Sequence, residues 1–334
     1  MSVNNKRIEW IDIARGFAIL LIILGHSNIL NGSINGFIHS FHVPLFFVVS
    51  GLLFKGEDLA RSIKKRGKQL LIPFYITGTI VVIGKLVFTY VSNSEIHIKD
   101  IINWIVALIY GYGYDYDFFG HTIYAIGAIW FLWALFWSFV TLQIIFKLTK
   151  RTSEWIRALA VIIVSVIGYI IGQFFWIPTN IDLGLYCVIY LYFGYILKNY
   201  LLDYLKNNRI INYLIIALCI AIYVYASIIN GLYITTRQTD TIISVLGALA
   251  GSLVCLEISM LFEKLQYVSK VIIWYGMNSL LIICVHNIEI MLITWDRITV
   301  QGILQYGFVV FIIRLLVISG IVAIINMIKQ KRRT

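Results

Sequence analysis

Long apolar runs separated by short polar gaps fill this chain. A helix needs about 20 mostly apolar residues to cross the hydrocarbon core of a bilayer. Stretches of that kind fall at approximately 10–30, 37–54, 69–91, 122–146, 158–177, 181–197, 210–230, 240–262, 271–294 and 302–328. The pattern predicts an all-α polytopic membrane protein of about ten transmembrane helices. The 181–197 stretch is short and is expected to tilt or to begin earlier. Residues 92–121 break the up-and-down regularity. They hold a short apolar piece, IINWIVALIY, suited to the interface or to re-entry, and then the aromatic run GYGYDYDFFGH. With no internal repeat, Pro/Ser-rich linker or low-complexity tail, residues 1–334 read as a single transmembrane domain.

Composition agrees with the pattern. The chain is 60% hydrophobic and 13% charged, with a mean hydropathy of +0.88. A soluble domain carries closer to a quarter charged residues, so lipid must solvate much of the apolar surface. The formal charge of +11 would suit nucleic acid, but its distribution argues against that partner. Lys and Arg cluster at the two ends and in the gaps 55–68, 147–157, 198–209 and 264–270. The alternate gaps hold only Lys99, Arg237 and Arg297, while Arg15, Lys85 and Arg314 lie within apolar stretches. This asymmetry predicts both termini on the cytoplasmic side of the membrane. Lys6 and Arg7 precede the first stretch as in a signal peptide. Asp12 and Arg15 interrupt it and no small-residue cleavage site follows, so a retained first helix is expected. Cys187, Cys219, Cys255 and Cys284 all fall in apolar runs without a CxxC pair and read as small core residues.

Ionisable groups inside the apolar runs change the picture. Each costs about 2.5–3.5 kcal/mol on insertion scales, so each needs a reason. Arg15 and His26 are eleven positions apart, which returns to within about 20° of the same helical face, about 16 Å further along the axis. Asp12 joins them, so one face reads Asp12, Arg15, Ile19, Ile22, His26. The bland reading is an interfacial Asp12–Arg15 salt bridge with His26 reaching outward. The functional reading is a polar lane across most of the membrane. His39 and His42 share a face at the start of the second stretch, with Pro44 suited to a first helical turn. The remaining outer histidines, His97 and His121, offer no paired carboxylate at ligand spacing, so no metal is expected. His286 and Glu289 share a face of the ninth stretch, with Glu257 in the eighth and Arg314 in the tenth. Glu257 or Glu289 pairing with Arg314 would be a structural bundle contact.

The runs RIEWIDIARGFAILLIILGHS (7–27) and IHSFHVPLFFVVSGLLFK (38–55) resemble the opening of the acyltransferase-3 family of membrane proteins, in its fucose-4-O-acetylase-like branch. Arg15 and His26 match the family's arginine–histidine pattern, and His42-x-Pro44-Leu-Phe-Phe with Ser50-Gly51 its second block. KKRGKQLLIPFY (64–75), IWFLWALF (129–136) and GMNSLLIICVH (276–286) are similar to later blocks, in the expected order. The pattern departs at Gln69, where many members carry a second arginine. With no soluble domain after the last stretch, a stand-alone membrane form is expected.

The resemblance implies transfer of an acetyl group from cytoplasmic acetyl-CoA, as a substrate and not a bound cofactor, to a hydroxyl of a cell-surface or lipid-linked glycan. The residues suit that chemistry. Arg61, Lys64, Lys65, Arg66 and Lys68 form a cationic loop able to hold CoA phosphates, or simply a positive-inside anchor. A sugar hydroxyl benefits from a base, and His26 is assigned as general base or, alternatively, transient acyl carrier. Arg15 would bind the donor or stabilise charge, and Asp12 would orient Arg15. His39, His42, Tyr114, Asp115, Tyr116, Asp117 and Trp130 are candidates for the acceptor side, where aromatic rings stack on sugars and equally well form an interfacial belt. A transporter or flippase of a glycan precursor or acyl donor is the rival class, but prolines at 44, 73 and 178 do not mark paired interrupted helices in matching halves. Monomer and homodimer are both left open.

Overall fold

The computed structural model describes residues 8–27, 32–229, 234–237, 242–293, 295 and 307–331. It is a helical bundle built around its first helix. That helix, α1 (Glu9–Gly25), packs against α2 (Gly32–His39), α3 (His42–Leu52), α12 (Ile242–Phe262), α13 (Gln266–Met277), α14 (Ser279–Leu292) and α15 (Gly307–Lys331). Between α3 and α12 the chain forms α4 (Leu59–Arg66), a π-helical turn (Gly67–Leu71), α5 (Ile72–Asn93), α6 (Ile98–Tyr110), α7 (Trp130–Leu148), α8 (Glu154–Phe174), α9 (Ile181–Ile196), α10 (Leu202–Asn207) and α11 (Arg209–Ile229).

Among the described residues seven helices are long and apolar enough to cross a membrane, or eight if the bent pair α13–α14 is one span. The protein is therefore an all-α multi-pass membrane protein. The three other expected spans are the informative ones. The first is α1, only 17 residues long, ending at Gly25 with His26 as its cap; residues 28–30 lie outside the described set. The second, expected as one helix over 37–54, is broken at Ser40–Phe41 into α2 and α3. The ninth, expected over 271–294, is bent by 68° at Asn278. Irregular backbone at membrane depth survives only where protein or a cavity surrounds it. The end of α1 and the α2–α3 break lie at one cavity, whereas the bend at Asn278 follows Gly276, which packs against Asp12 at the opposite end of α1.

Close approach of backbones holds α1 at the centre. A Cβ on Gly276 would collide with the Asp12 carbonyl, and one on Gly16 with the Ile272 carbonyl, so α1 and α13 touch through reciprocal glycines. Gly51 and Gly194 bring α3 against α9 in the same manner. Without a hydrophobic drive between helices in lipid, this small-residue packing carries the association. In contrast α8, α11 and α15 leave most of their surface to lipid.

The 92–121 connection holds the helix α6. Asp100 accepts from the His97 backbone N–H at 3.1 Å to start it, and Gly111, at φ 73°, ends it in the left-handed region. A small hairpin not foreseen from the sequence follows: β1 (Tyr116–Phe118) pairs antiparallel with β2 (His121–Ile123), Phe118 opposite His121. Phe119 and Gly120, both at positive φ, make its two-residue turn.

Candidate active site

The ends of the short and broken helices meet at a cavity of about 320 Å³ lined by His26, His39, His42, Gly113, Tyr114, Trp130 and Thr235 among others. Local structure explains how three imidazoles reach it. His26 sits where α1 stops, so its side chain leaves the helix at the cavity wall. His39 ends α2 and hydrogen-bonds the Gly25 backbone, tying α2 to the end of α1. His42 opens α3, and its Nδ1 donates to the Ile38 carbonyl at 2.8 Å. That bond places the proton on Nδ1 and leaves Nε2 as an acceptor. The ring of His26 lies 6.1 Å from that of His39, and His39 lies 4.9 Å from His42, centroid to centroid.

Behind His26 lies a second set of polar groups. The His286 ring is 5.3 Å from that of His26. His286 Nδ1 bonds Glu289 Oε2 at 3.0 Å, and Arg314 Nε lies 3.2 Å from Glu289 Oε1. Trp295 Nε1 also donates to Glu289, and Arg314 donates to the His26 carbonyl. Glu289, not Glu257, is thus the partner of Arg314. Glu257 stays half-buried in α12, outside this cluster. Among the described residues no three His, Cys, Asp or Glu side chains converge to hold a metal ion.

Two further groups, passed over in the sequence, shape the cavity. Asn287 donates to the Ile126 carbonyl at 3.1 Å and accepts from the Ile129 N–H at 3.3 Å. It thereby fixes the segment whose Gly127 and Ala128 form part of the wall. Arg237, the outlying cation of an outer gap, is buried against Asp182, with Nε–Oδ2 at 2.8 Å. It also donates to the Thr235 carbonyl at 2.9 Å and lies 3.9 Å over the Trp176 ring. The signal available in the sequence was Asp182, an acid inside an apolar stretch.

The acceptor-side candidates divide. Tyr114 and Trp130 line the cavity. Tyr116 stacks on Trp176 at 4.5 Å in the platform behind it. Asp115 accepts from the Ala125 N–H at 2.7 Å and so closes the loop, while Asp117 is exposed on β1. Neither carboxylate lines the cavity.

At the other end of α1, Asp12 is buried and pairs with Arg15 at 3.6 Å. Arg15 lies near enough to Arg66 of α4 for the two charges to repel. Arg66 is half-buried, its guanidinium 3.9 Å over the Phe139 ring, whereas Arg61, Lys64, Lys65 and Lys68 are exposed. Lys65 bonds Glu57 at 2.8 Å, and this bond, with the neighbouring positive charges, holds the Glu57 carboxyl below its usual range. The helix runs into the π-helical turn Gly67–Leu71, an insertion often found at functional sites. The continuous polar lane expected on α1 is interrupted. Ile19 is fully buried and Ile22 forms part of the cavity wall, so apolar packing separates Arg15 from the histidines.

The structure is a multi-pass helical bundle with three imidazoles gathered on one cavity. Residues 8–326 match the acyltransferase domain of the acyltransferase-3 family, and the chain belongs to that family. It is similar to the nodulation protein NolL of Mesorhizobium japonicum, 28% identical over 178 residues, covering 49% of this chain and 42% of that protein. It is also similar to the NolL protein of Sinorhizobium fredii, 27% identical over 179 residues, covering 49% and 43%. The matched region thus spans less than half the length of these relatives. No solved structure matches the chain.

Proposed function

We propose that this membrane acyltransferase moves an acetyl group from acetyl-CoA, bound at the cytoplasmic face of a bacterial plasma membrane, to a carbohydrate hydroxyl on the outer side. The observation that carries the reading is the arrangement along α1. His26 lines a cavity of about 320 Å³ at one end, and Arg15 stands beside Arg66 and the basic helix at the other. Guanidinium and ammonium groups suit the phosphates of a CoA donor. Tyr114 and Trp130 suit a sugar face.

In this reaction the sugar hydroxyl oxygen attacks the thioester carbonyl, and His26 takes the hydroxyl proton as the new C–O bond forms. The C–S bond then breaks, and the proton goes to the CoA thiolate. The alternative route passes through an acyl group carried on His26. In either route the donor's acyl end must pass the Ile19–Ile22 packing.

The test uses the full-length protein in detergent with radiolabelled acetyl-CoA and the carbohydrate-containing lipid and glycan fraction of its native membranes. The wild type is expected to release CoA thiol and label that fraction. His26→Ala is expected to insert normally and to label that fraction only at a small residual rate. Labelling at the wild-type rate by His26→Ala would defeat the base assignment, and absence of CoA release by the wild type would favour a carrier.

A further inference from the structure

The buried pair His286–Glu289 does not line the histidine cavity, yet it lies directly against the ring of His26. Glu289 Oε1 is held by Arg314 and Trp295, which leaves Oε2 for His286 Nδ1 at 3.0 Å. A carboxylate accepting at Nδ1 fixes the neutral imidazole with its proton there and its lone pair on Nε2. That Nε2 is fully buried and has no hydrogen-bond partner among the described residues. Buried acceptors are rarely left unpaired, and such an orphan calls for an explanation. The adjacent ring is that of His26, 5.3 Å away and tilted by 54°.

We infer that Glu289 and His286 are positioning residues for His26, a carboxylate–imidazole pair that orients the base and stabilises it once it carries the substrate proton. The inference rests on the reading of His26 given above. When the sugar hydroxyl is deprotonated, His26 becomes an imidazolium with a donor on each ring nitrogen. One donor returns its proton to the leaving thiolate, and the other finds the waiting Nε2 of His286. The Glu289 carboxylate behind it supplies the countercharge. No bond to His286 or Glu289 is made or broken over the cycle, and both end as they began. Arg314 keeps the parts in register, because it holds the Glu289 carboxylate and the His26 backbone carbonyl together.

A purely structural role for Glu289, as countercharge to Arg314, makes a different forecast. It needs neither His286 nor any coupling to His26. The two are separated by steady-state kinetics on the full chain in detergent, with acetyl-CoA and the native membrane glycan fraction. His286→Gln and Glu289→Gln are expected to lower kcat about 100-fold or more, within the range seen for general-base support, with KM for acetyl-CoA changed less than about twofold. Glu289→Asp should restore part of the rate. The double variant His26→Ala/Glu289→Gln should be no slower than His26→Ala alone, since residues acting through one group are not additive. Size-exclusion profiles and melting in detergent establish which variants are folded, and Glu289→Asp serves if Glu289→Gln is not. Near-wild-type kcat in folded His286→Gln, or additive losses in the double variant, would overturn the inference while leaving His26 as base. Full activity of His26→Ala would instead bring down the reading on which it stands.

Discussion

Arg237 and Asp182 form a buried ion pair, Nε to Oδ2 at 2.8 Å, that locks two separate segments together beside the histidine cavity. Asp182 opens α9. Arg237 ends the short turn whose Ile234 and Thr235 line the cavity. Asn180 adds its amide oxygen to the guanidinium at 3.1 Å, and the Trp176 ring covers it. The cavity therefore owes part of its wall to a contact between residues more than fifty positions apart in sequence.

Removing one partner of that pair strands a charge in a dry site. Asp182→Ala is expected to cost about 3–5 kcal/mol, read as a fall in Tm of the detergent-purified protein. Asp182→Asn, which keeps an acceptor for Arg237, should lose less. An unchanged Tm in Asp182→Ala would mean that water or lipid headgroups already satisfy the guanidinium.

Gly276 leaves no room for a methyl group against the Asp12 carbonyl. Gly276→Ala must push α13 away from α1, at about 1–3 kcal/mol for overpacking, and should lower both Tm and the yield of folded protein. Gly320, with open space around its Cβ position, is the control: Gly320→Ala should melt with the wild type.

The proposed donor site is tested at Arg66, half-buried against Phe139 and beside Arg15. Loss of one charge-assisted hydrogen bond to phosphate is worth about 1.5–3 kcal/mol. Arg66→Gln should therefore raise KM for acetyl-CoA about tenfold or more, with kcat little changed. Lys64→Gln, on an exposed side chain, should change it less. Equal donor KM in Arg66→Gln and wild type would assign the basic helix to membrane anchoring alone.

Acceptor recognition separates His42 from Asp117. His42 presents Nε2 from a tautomer set by the Ile38 carbonyl, so His42→Phe should raise the acceptor KM about tenfold, the loss of roughly one hydrogen bond. Asp117 is exposed on β1, and Asp117→Asn should stay within about ±0.5 kcal/mol of the wild type in stability, as surface changes do, and should leave acceptor kinetics unaltered. Loss of acceptor use in Asp117→Asn would move the binding surface onto the hairpin.

Legibility in the sequence followed the range of the interaction responsible. Arg15 and His26 declare themselves because an ionisable group in an apolar run is expensive wherever the run folds. The i, i+3 pairing of His286 with Glu289 is equally local. Other features were hidden for the opposite reason. Asp115 looked like an acceptor group and is instead the hydrogen-bond partner of the Ala125 backbone. The break at Ser40–Phe41 and the bend at Asn278 fall at short polar steps, His39-Ser40 and Asn278-Ser279, inside runs that are apolar on average, and hydropathy averaged over a span does not register where a helix turns.

Hydrophobicity and charge placement alone determined that this protein lives in lipid as a helical bundle, because solvation of apolar side chains depends on their number and run length, not on their neighbours. They also marked which polar side chains need a function. Only the tertiary structure decided that His26 meets His39 and His286, and that Glu289 and not Glu257 answers Arg314. Those outcomes depend on how closely separate helices approach, and backbone contact at glycines such as Gly16 and Gly276 sets that distance across hundreds of residues of chain.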